Sequence, residues 1–248
     1  MNKNLVSNPI DGEGILYIAT GKKFLQEAAE NAKAGRKQIG SRKIAIVTDN
    51  IAEAEITGCF DICIIHPDPR LSYRDKIPPL INLPFEKTLF LDSDARIISS
   101  VDGLFQQFEW YDFGAAHAPV RIPDGWCDKQ IPDIFPEFNS GVLLLRRSEL
   151  QESLIRKWLE KYDIINQAWD QATLRSAVWE MLNNGLRHLV IPPEANFRTT
   201  KPWIAGHGLE VVIVHGRVPP GNERYKNEDI SIFTSNQLSE VKKLGFEF

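Results

Sequence analysis

The stretch KTLFLDSDARIISS, residues 87–100, holds an apolar run that stops at two carboxylates, Asp92 and Asp94. Leu89, Phe90 and Leu91 have the pattern of a strand covered on both faces. Two anions one residue apart at the end of such a strand raise each other's cost and want a compensating cation. Three arrangements place acids this way: a plain acidic turn, a phosphatase nucleophile with its acid partner, and a metal site that holds a diphosphate. Ligands of open α/β sheets bind beyond the carboxyl ends of the strands, which weighs toward the third without deciding it. Mg²⁺ or Mn²⁺ would suit that site, because hard divalent cations take carboxylate and diphosphate oxygens together.

Other side chains could complete such a site, and each has a plainer reading beside the chemical one. Lys76, with Arg74 near it, precedes the acidic pair by about one helix; a lysine point charge suits a diphosphate oxygen, and it also suits a solvated helix start. In FNSG (138–141) Asn139 and Ser140 open a strand, and an asparagine that donates and accepts at once suits sugar hydroxyls. Asp170 and Gln171 in WDQ begin a helix, where Asp170 could be no more than a dipole-compatible cap. His215 ends the apolar run of VVIVHGR (211–217), a place where histidines are often structural. In YIATGKK (17–23) a strand passes into a helix through Gly21, so backbone can approach a ligand and the helix start favours an anion.

The elements that would position these residues alternate. Strands are expected at 14–20, 43–49, 61–66 and 87–93, with helices over 22–35, near 51–57 and within 74–83. Gly35 reads as the stop of the first helix. Such alternation predicts an α/β fold: a mainly parallel central sheet flanked by helices, of the Rossmann-like kind. The later half is less regular. Strands are expected at 113–118, 138–147, 186–191 and 211–214, and helices after Ser148, whose pairing with Gln151 signals a capping box, and over 169–182. Residues 119–137 carry four prolines and a glycine and read as a long ordered loop. Its Trp126 could stack on a sugar face or simply pack.

With 248 residues and no linker or repeat, one domain over 1–248 is expected, its nucleotide-binding half about 14–118 and its sugar and acceptor half about 119–248. A net charge of −4 argues against a nucleic-acid binder. No run approaches the ~20 apolar residues of a membrane span, and the first residues lack an apolar signal core. Three cysteines are too few and too odd for a disulfide framework; Cys59 and Cys63 read as small core fillers, and the cytoplasm is the expected location.

Taken in order, YIATGKKFLQEA, RDK, KTLFLDSDARIISSVDGLF, EFNSGVLLLRR, WDQATLR and VHGR resemble the nucleotide-diphosphate-sugar transferases of the GT-A fold, most of all the glycogenin-like family 8, as a divergent relative. The resemblance covers most of the chain. It implies a single GT-A domain and a metal-dependent, retaining transfer of a sugar from a nucleotide-diphosphate donor, with UDP as the nucleotide, to an acceptor hydroxyl of a glycan, protein or small molecule. It implies Asp92, Asp94 and His215 as ligands of Mn²⁺ or Mg²⁺. Ala19, Thr20 and Gly21 would border base and ribose, Lys76, Gly216 and Arg217 the phosphates, and Asn139 and Ser140 the sugar, with Ser93 also binding the donor. Asp170 would bond donor hydroxyls and Gln171 would lie near the anomeric carbon, as the catalytic pair. In the family a Lys-Pro-Trp segment follows the histidine; here KPW (201–203) precedes His215, so the phosphate charge is expected from Arg217.

The phosphatase arrangement fits less well. Haloacid-dehalogenase-like phosphatases place their acidic pair near the N-terminus with Thr or Val two residues on, whereas here Arg96 stands there and several strands come first. A non-catalytic nucleotide- or sugar-binding protein on the same fold is the remaining alternative. A nucleotidyltransferase should show a glycine- and arginine-rich N-terminal loop, and only Gly21 is present there.

Overall fold

The computed structural model describes residues 10–118, 128–165, 169–199 and 209–217. In the main sheet, β1 (Ile10–Ile18), β2 (Lys43–Thr48), β3 (Ile62–Ile65), β4 (Phe85–Leu91), β6 (Phe113–His117), β7 (Phe138–Arg146) and β8 (His188–Val190) lie in the order β3-β2-β1-β4-β7-β6-β8. Neighbours are parallel except at β7, which runs antiparallel to both β4 and β6. That reversal matters for the site. Leu91 pairs with Val142, so the start of β7 sits beside the carboxyl end of β4.

Alternation along the strands sorts the core into two halves. Leu16, Val47, Phe90 and Leu143 face one side, where α4 (Glu149–Ile165) and α5 (Gln171–Leu182) contribute Leu154, Trp158 and Val178. Tyr17, Ile46, Leu91 and Val142 face the other, against Leu25, Ala28 and Ala32 of α1 (Lys22–Ile39), Ala54 of α2 (Ile51–Thr57) and Leu104 of α3 (Asp102–Phe105). A second, three-stranded sheet lies on this side: β5 (Ala95–Ile97), β10 (Ile213–His215) and β9 (Phe197–Arg198), in the order β5-β10-β9.

Several expectations change. Gly35 does not stop α1; the helix continues to Ile39 and ends at Gly40, whose φ of 72° suits glycine. Gly35 is instead a packing residue, since a β-carbon there would stand 3.1 Å from Ile97 Cβ. No helix fills 74–83. Pro78 and Pro79 lack amide hydrogens, and the segment breaks into 3₁₀ turns at Tyr73–Lys76 and Pro78–Ile81. The Ser148 hydroxyl does accept the Gln151 amide hydrogen, but the Gln151 side chain donates to the Leu80 carbonyl instead of closing the box. Cys59 and Cys63 are free, half-buried thiols packed against the core. Trp126, KPW and loop residues 119–127 lie outside the described residues. Among the described residues no helix is long and apolar enough to cross a membrane.

Candidate active site

Parallel β1 and β4 end side by side, and the chain leaving each carries site residues. After β1, Gly21 has φ 84° and its amide donates to Asp49 Oδ1 at 2.9 Å. Thr20 Oγ1 donates to Asp75 Oδ2 at 2.6 Å. The same buried carboxylate accepts the amides of Arg70 (2.9 Å) and Leu71 (2.8 Å). Asp75 thereby draws Leu71, at φ 53°, over Gly21 as a wall. A charged residue between two candidate cations gave no sequence signal for this role.

After β4, the Asp92 amide donates to the Gly141 carbonyl at 2.8 Å, and the acidic turn runs directly into β5. His215 reaches it from the second sheet rather than the main one. Antiparallel pairing sets His215 opposite Ala95, and the Gly216 amide donates to the Asp94 carbonyl at 3.0 Å. His215 Nε2 lies 3.5 Å from Asp94 Oδ1 and 3.9 Å from Asp92 Oδ2. One donor atom from each of Asp92, Asp94 and His215 falls within 4.8 Å of the others.

The imidazole's orientation is set by a chain of amides that begins at the backbone. The Gly141 N–H can only donate, so Asn139 must turn its Oδ1 toward it, at 3.2 Å. Asn196 Nδ2 donates to the same oxygen at 2.9 Å, which leaves Asn196 Oδ1 to face His215 Nδ1 at 2.7 Å. Nδ1 therefore carries a proton, and Nε2 is the ring nitrogen that faces the acids, able to ligate a cation when the ring is neutral. Asn139 Nδ2 donates to Gln171 Oε1 at 2.7 Å, so the same chain orients Gln171. Asn196 was not singled out in the sequence; it precedes a two-residue strand too short to show a pattern.

Two carboxylate oxygens and an imidazole lone pair form a donor set that fits Mg²⁺ or Mn²⁺. Burial pushes the Asp92 carboxyl up, against the pull of Lys76 and His215. Asp94 is also penalised by burial, yet His215, Arg217 and Lys76 hold it well below the usual carboxylate range.

Three cations border the acids. Lys76, buried, reaches Asp92 Oδ2 at 2.8 Å, Ser140 Oγ at 3.5 Å and Asp170 Oδ2 at 3.6 Å. Burial alone would lower its pKa, but Asp170 and Asp92 raise it above the usual lysine value. Arg217 donates twice to Glu27, at 2.6 Å each, and lies 3.4 Å from Asp94 Oδ2. Glu27 also accepts the Ser93 hydroxyl at 2.7 Å. Arg198, not expected from the sequence, is the third. Arg74 turns to Asp163, at 2.6 and 2.8 Å.

Asp170 does not behave as a cap: its side chain makes no capping bond at α5. Its carbonyl accepts Trp158 Nε1 at 3.0 Å and Thr173 Oγ1 at 2.8 Å, which fixes the residue. Its buried Oδ2 accepts no hydrogen bond among the described residues. Ala19, Thr20, Lys76, Asp92, Ser93, Asp94, Asn139, Ser140, Asp170, Gln171, His215 and Arg217 all line one cavity of about 410 Å³; Gly21 and Gly216 adjoin it through Thr20 and His215. Tyr73 and Trp169 stack at its wall, ring centroids 5.4 Å apart.

No family model matches the sequence, and no curated protein does. The structure is similar to that of the galactosyltransferase LgtC, solved with donor and acceptor sugar analogues (TM-score 0.59, 17% identity, 94% of this chain and 95% of that one). It is also similar to mouse xyloside xylosyltransferase 1 (TM-score 0.53, 14% identity, 85% and 100%) and to the glycosyltransferase GlyE of Streptococcus pneumoniae (TM-score 0.58, 13% identity, 96% and 61%). The chain has the GT-A fold of these glycosyltransferases.

Proposed function

We propose that this chain is a metal-dependent glycosyltransferase that moves a sugar from a nucleotide-diphosphate donor, with UDP as the nucleotide, to an acceptor hydroxyl with retention of configuration. The observation that carries the reading is the Asp92–Asp94–His215 cluster opening into the same cavity as Lys76 and the buried, unbonded Asp170 oxygen. The glycosyltransferases that share the fold support it.

In this reading Asp92, Asp94 and His215 hold Mn²⁺ or Mg²⁺, which would supply electrostatic stabilisation of the departing diphosphate. Ala19, Thr20 and Gly21 border the base and ribose, with Leu71 as the wall above Gly21. Lys76, Ser93 and the Gly216–Arg217 segment lie along the phosphates. Asn139, Ser140 and Asp170 meet the sugar, where Asp170 Oδ2 accepts a hydrogen bond from a sugar hydroxyl, and Gln171 stands near the anomeric carbon. Residues about 14–118 supply most of the nucleotide half and about 119–248 the sugar and acceptor half of one domain, the latter also lending His215, Gly216 and Arg217 to the metal and phosphates. The sparse cysteines agree with a cytoplasmic setting.

A donor screen tests this. Nucleoside diphosphate release from a panel of nucleotide sugars, followed with Mn²⁺ and with excess chelator, should show turnover of a UDP-sugar only with metal. Equal release in chelator would remove the metal from the reading. Tight UDP binding with no turnover of any donor would instead fit the non-catalytic binding protein.

A further inference from the structure

Arg198 is the register partner of His215 in the parallel pairing of β9 with β10. Paired residues on neighbouring strands project to the same side of a sheet, so the guanidinium and the imidazole face one cavity, and both line it. Arg198 Nε is buried and has no hydrogen-bond partner among the described residues. The other cations of the cavity are matched. Lys76 is set against Asp92 and Asp170, and the fork of Arg217 is filled by Glu27. Asp94 and Asp92 favour the Arg198 charge against its burial, but they act on it through space and are themselves the candidate metal ligands.

A divalent cation held by two carboxylates is neutralised by them, so an incoming diphosphate brings negative charge that still needs a partner. On the transferase reading above, we infer that Arg198 is a phosphate-binding residue that takes the diphosphate of the nucleotide donor beside the metal. A guanidinium offers two parallel donors to a phosphate, a geometry a lysine cannot reproduce.

Calorimetry at saturating Mn²⁺ with UDP and with uridine, on the wild type, Arg198→Gln and Arg198→Lys, tests the assignment. Arg198→Gln should weaken UDP binding by about tenfold to a hundredfold, as expected for lost charge-assisted bonds, and leave uridine binding unchanged. Mn²⁺ binding without nucleotide, titrated by electron paramagnetic resonance, should be as tight or tighter, because a neighbouring cation has gone. Arg198→Lys should recover part of the UDP affinity; if the glutamine variant fails to fold, UDP binding by the lysine variant equal to wild type overturns the inference, and a selective loss supports it. Unchanged UDP affinity in Arg198→Gln overturns the Arg198 assignment alone, as does a joint loss of UDP, uridine and Mn²⁺ binding, which would mark a packing role. A wild type that binds no nucleoside diphosphate overturns the donor reading and this inference with it.

Discussion

Gly141 faces the His215 imidazole so closely that no side chain fits between them. A β-carbon on Gly141 would stand 2.6 Å from His215 Nε2 and 2.7 Å from Asp92 Oδ2. The colliding atoms are the ends of side chains rather than backbone, so alanine there would displace the candidate ligands and leave the sheet in place. Gly141→Ala should therefore lower Mn²⁺ affinity by at least about tenfold with little change in melting temperature. Paramagnetic titration beside a thermal melt checks this. Full Mn²⁺ affinity in a folded variant would count against the ligand set.

Asn196 tests the relay that sets the histidine. Removing the acceptor of His215 Nδ1–H frees the imidazole to rotate or change tautomer. Asn196→Ala should cost about 10–100-fold in Mn²⁺ affinity, the usual range for partners that orient ligands. Nitrogen-15 NMR of the ring should move from a single Nδ1–H tautomer to a mixture. A spectrum unchanged from wild type would refute the relay.

Asp170 is predicted to act on the rate. With a buried oxygen free to accept from the donor sugar, Asp170→Asn should lower turnover by about a hundredfold while UDP affinity hardly changes, the pattern of an interaction made mainly in the transition state. Steady-state kinetics with a UDP-sugar, set against UDP calorimetry, separates the two. A large loss of UDP affinity at normal turnover would reassign the residue to ground-state binding.

Asp112 sets an acid limit on stability away from the site. Burial alone would raise its carboxyl pKa, but hydrogen bonds from Arg187 and Arg146 hold it below the ordinary value. A group depressed in the folded state stabilises above its unfolded pKa, ~3.9, and loses that contribution as pH falls through the folded value. Asp112→Asn should cost about 1–3 kcal/mol at neutral pH. It should also flatten the decline of melting temperature below about pH 4, measured by calorimetry against the wild type. An unaltered acid profile would show that Asp112 contributes no proton linkage.

Features that depend on neighbours along the chain were legible in the residues. Alternating apolar runs of strand and helix period specified the layered α/β fold, and the apolar run 87–91 placed Asp92 and Asp94 at a strand end. The same local reading located Asn139, Ser140, Asp170 and Gln171 at element starts. Where local signals competed, it failed. Gly35 resembles a stop, but its missing side chain admits Ile97, a contact made only when α1 meets β5. Tertiary structure alone decided the convergence. His215 arrives through β5 and β10, strands of three residues whose pairing no local pattern announces. Asn196, Arg198 and Asp75 take their places because a backbone amide, a neighbouring strand and a folded-back loop present partners to them. Such partners are far apart in sequence. Hydrogen bonds and shared cavities depend on distances in space, which periodicity along the chain does not encode.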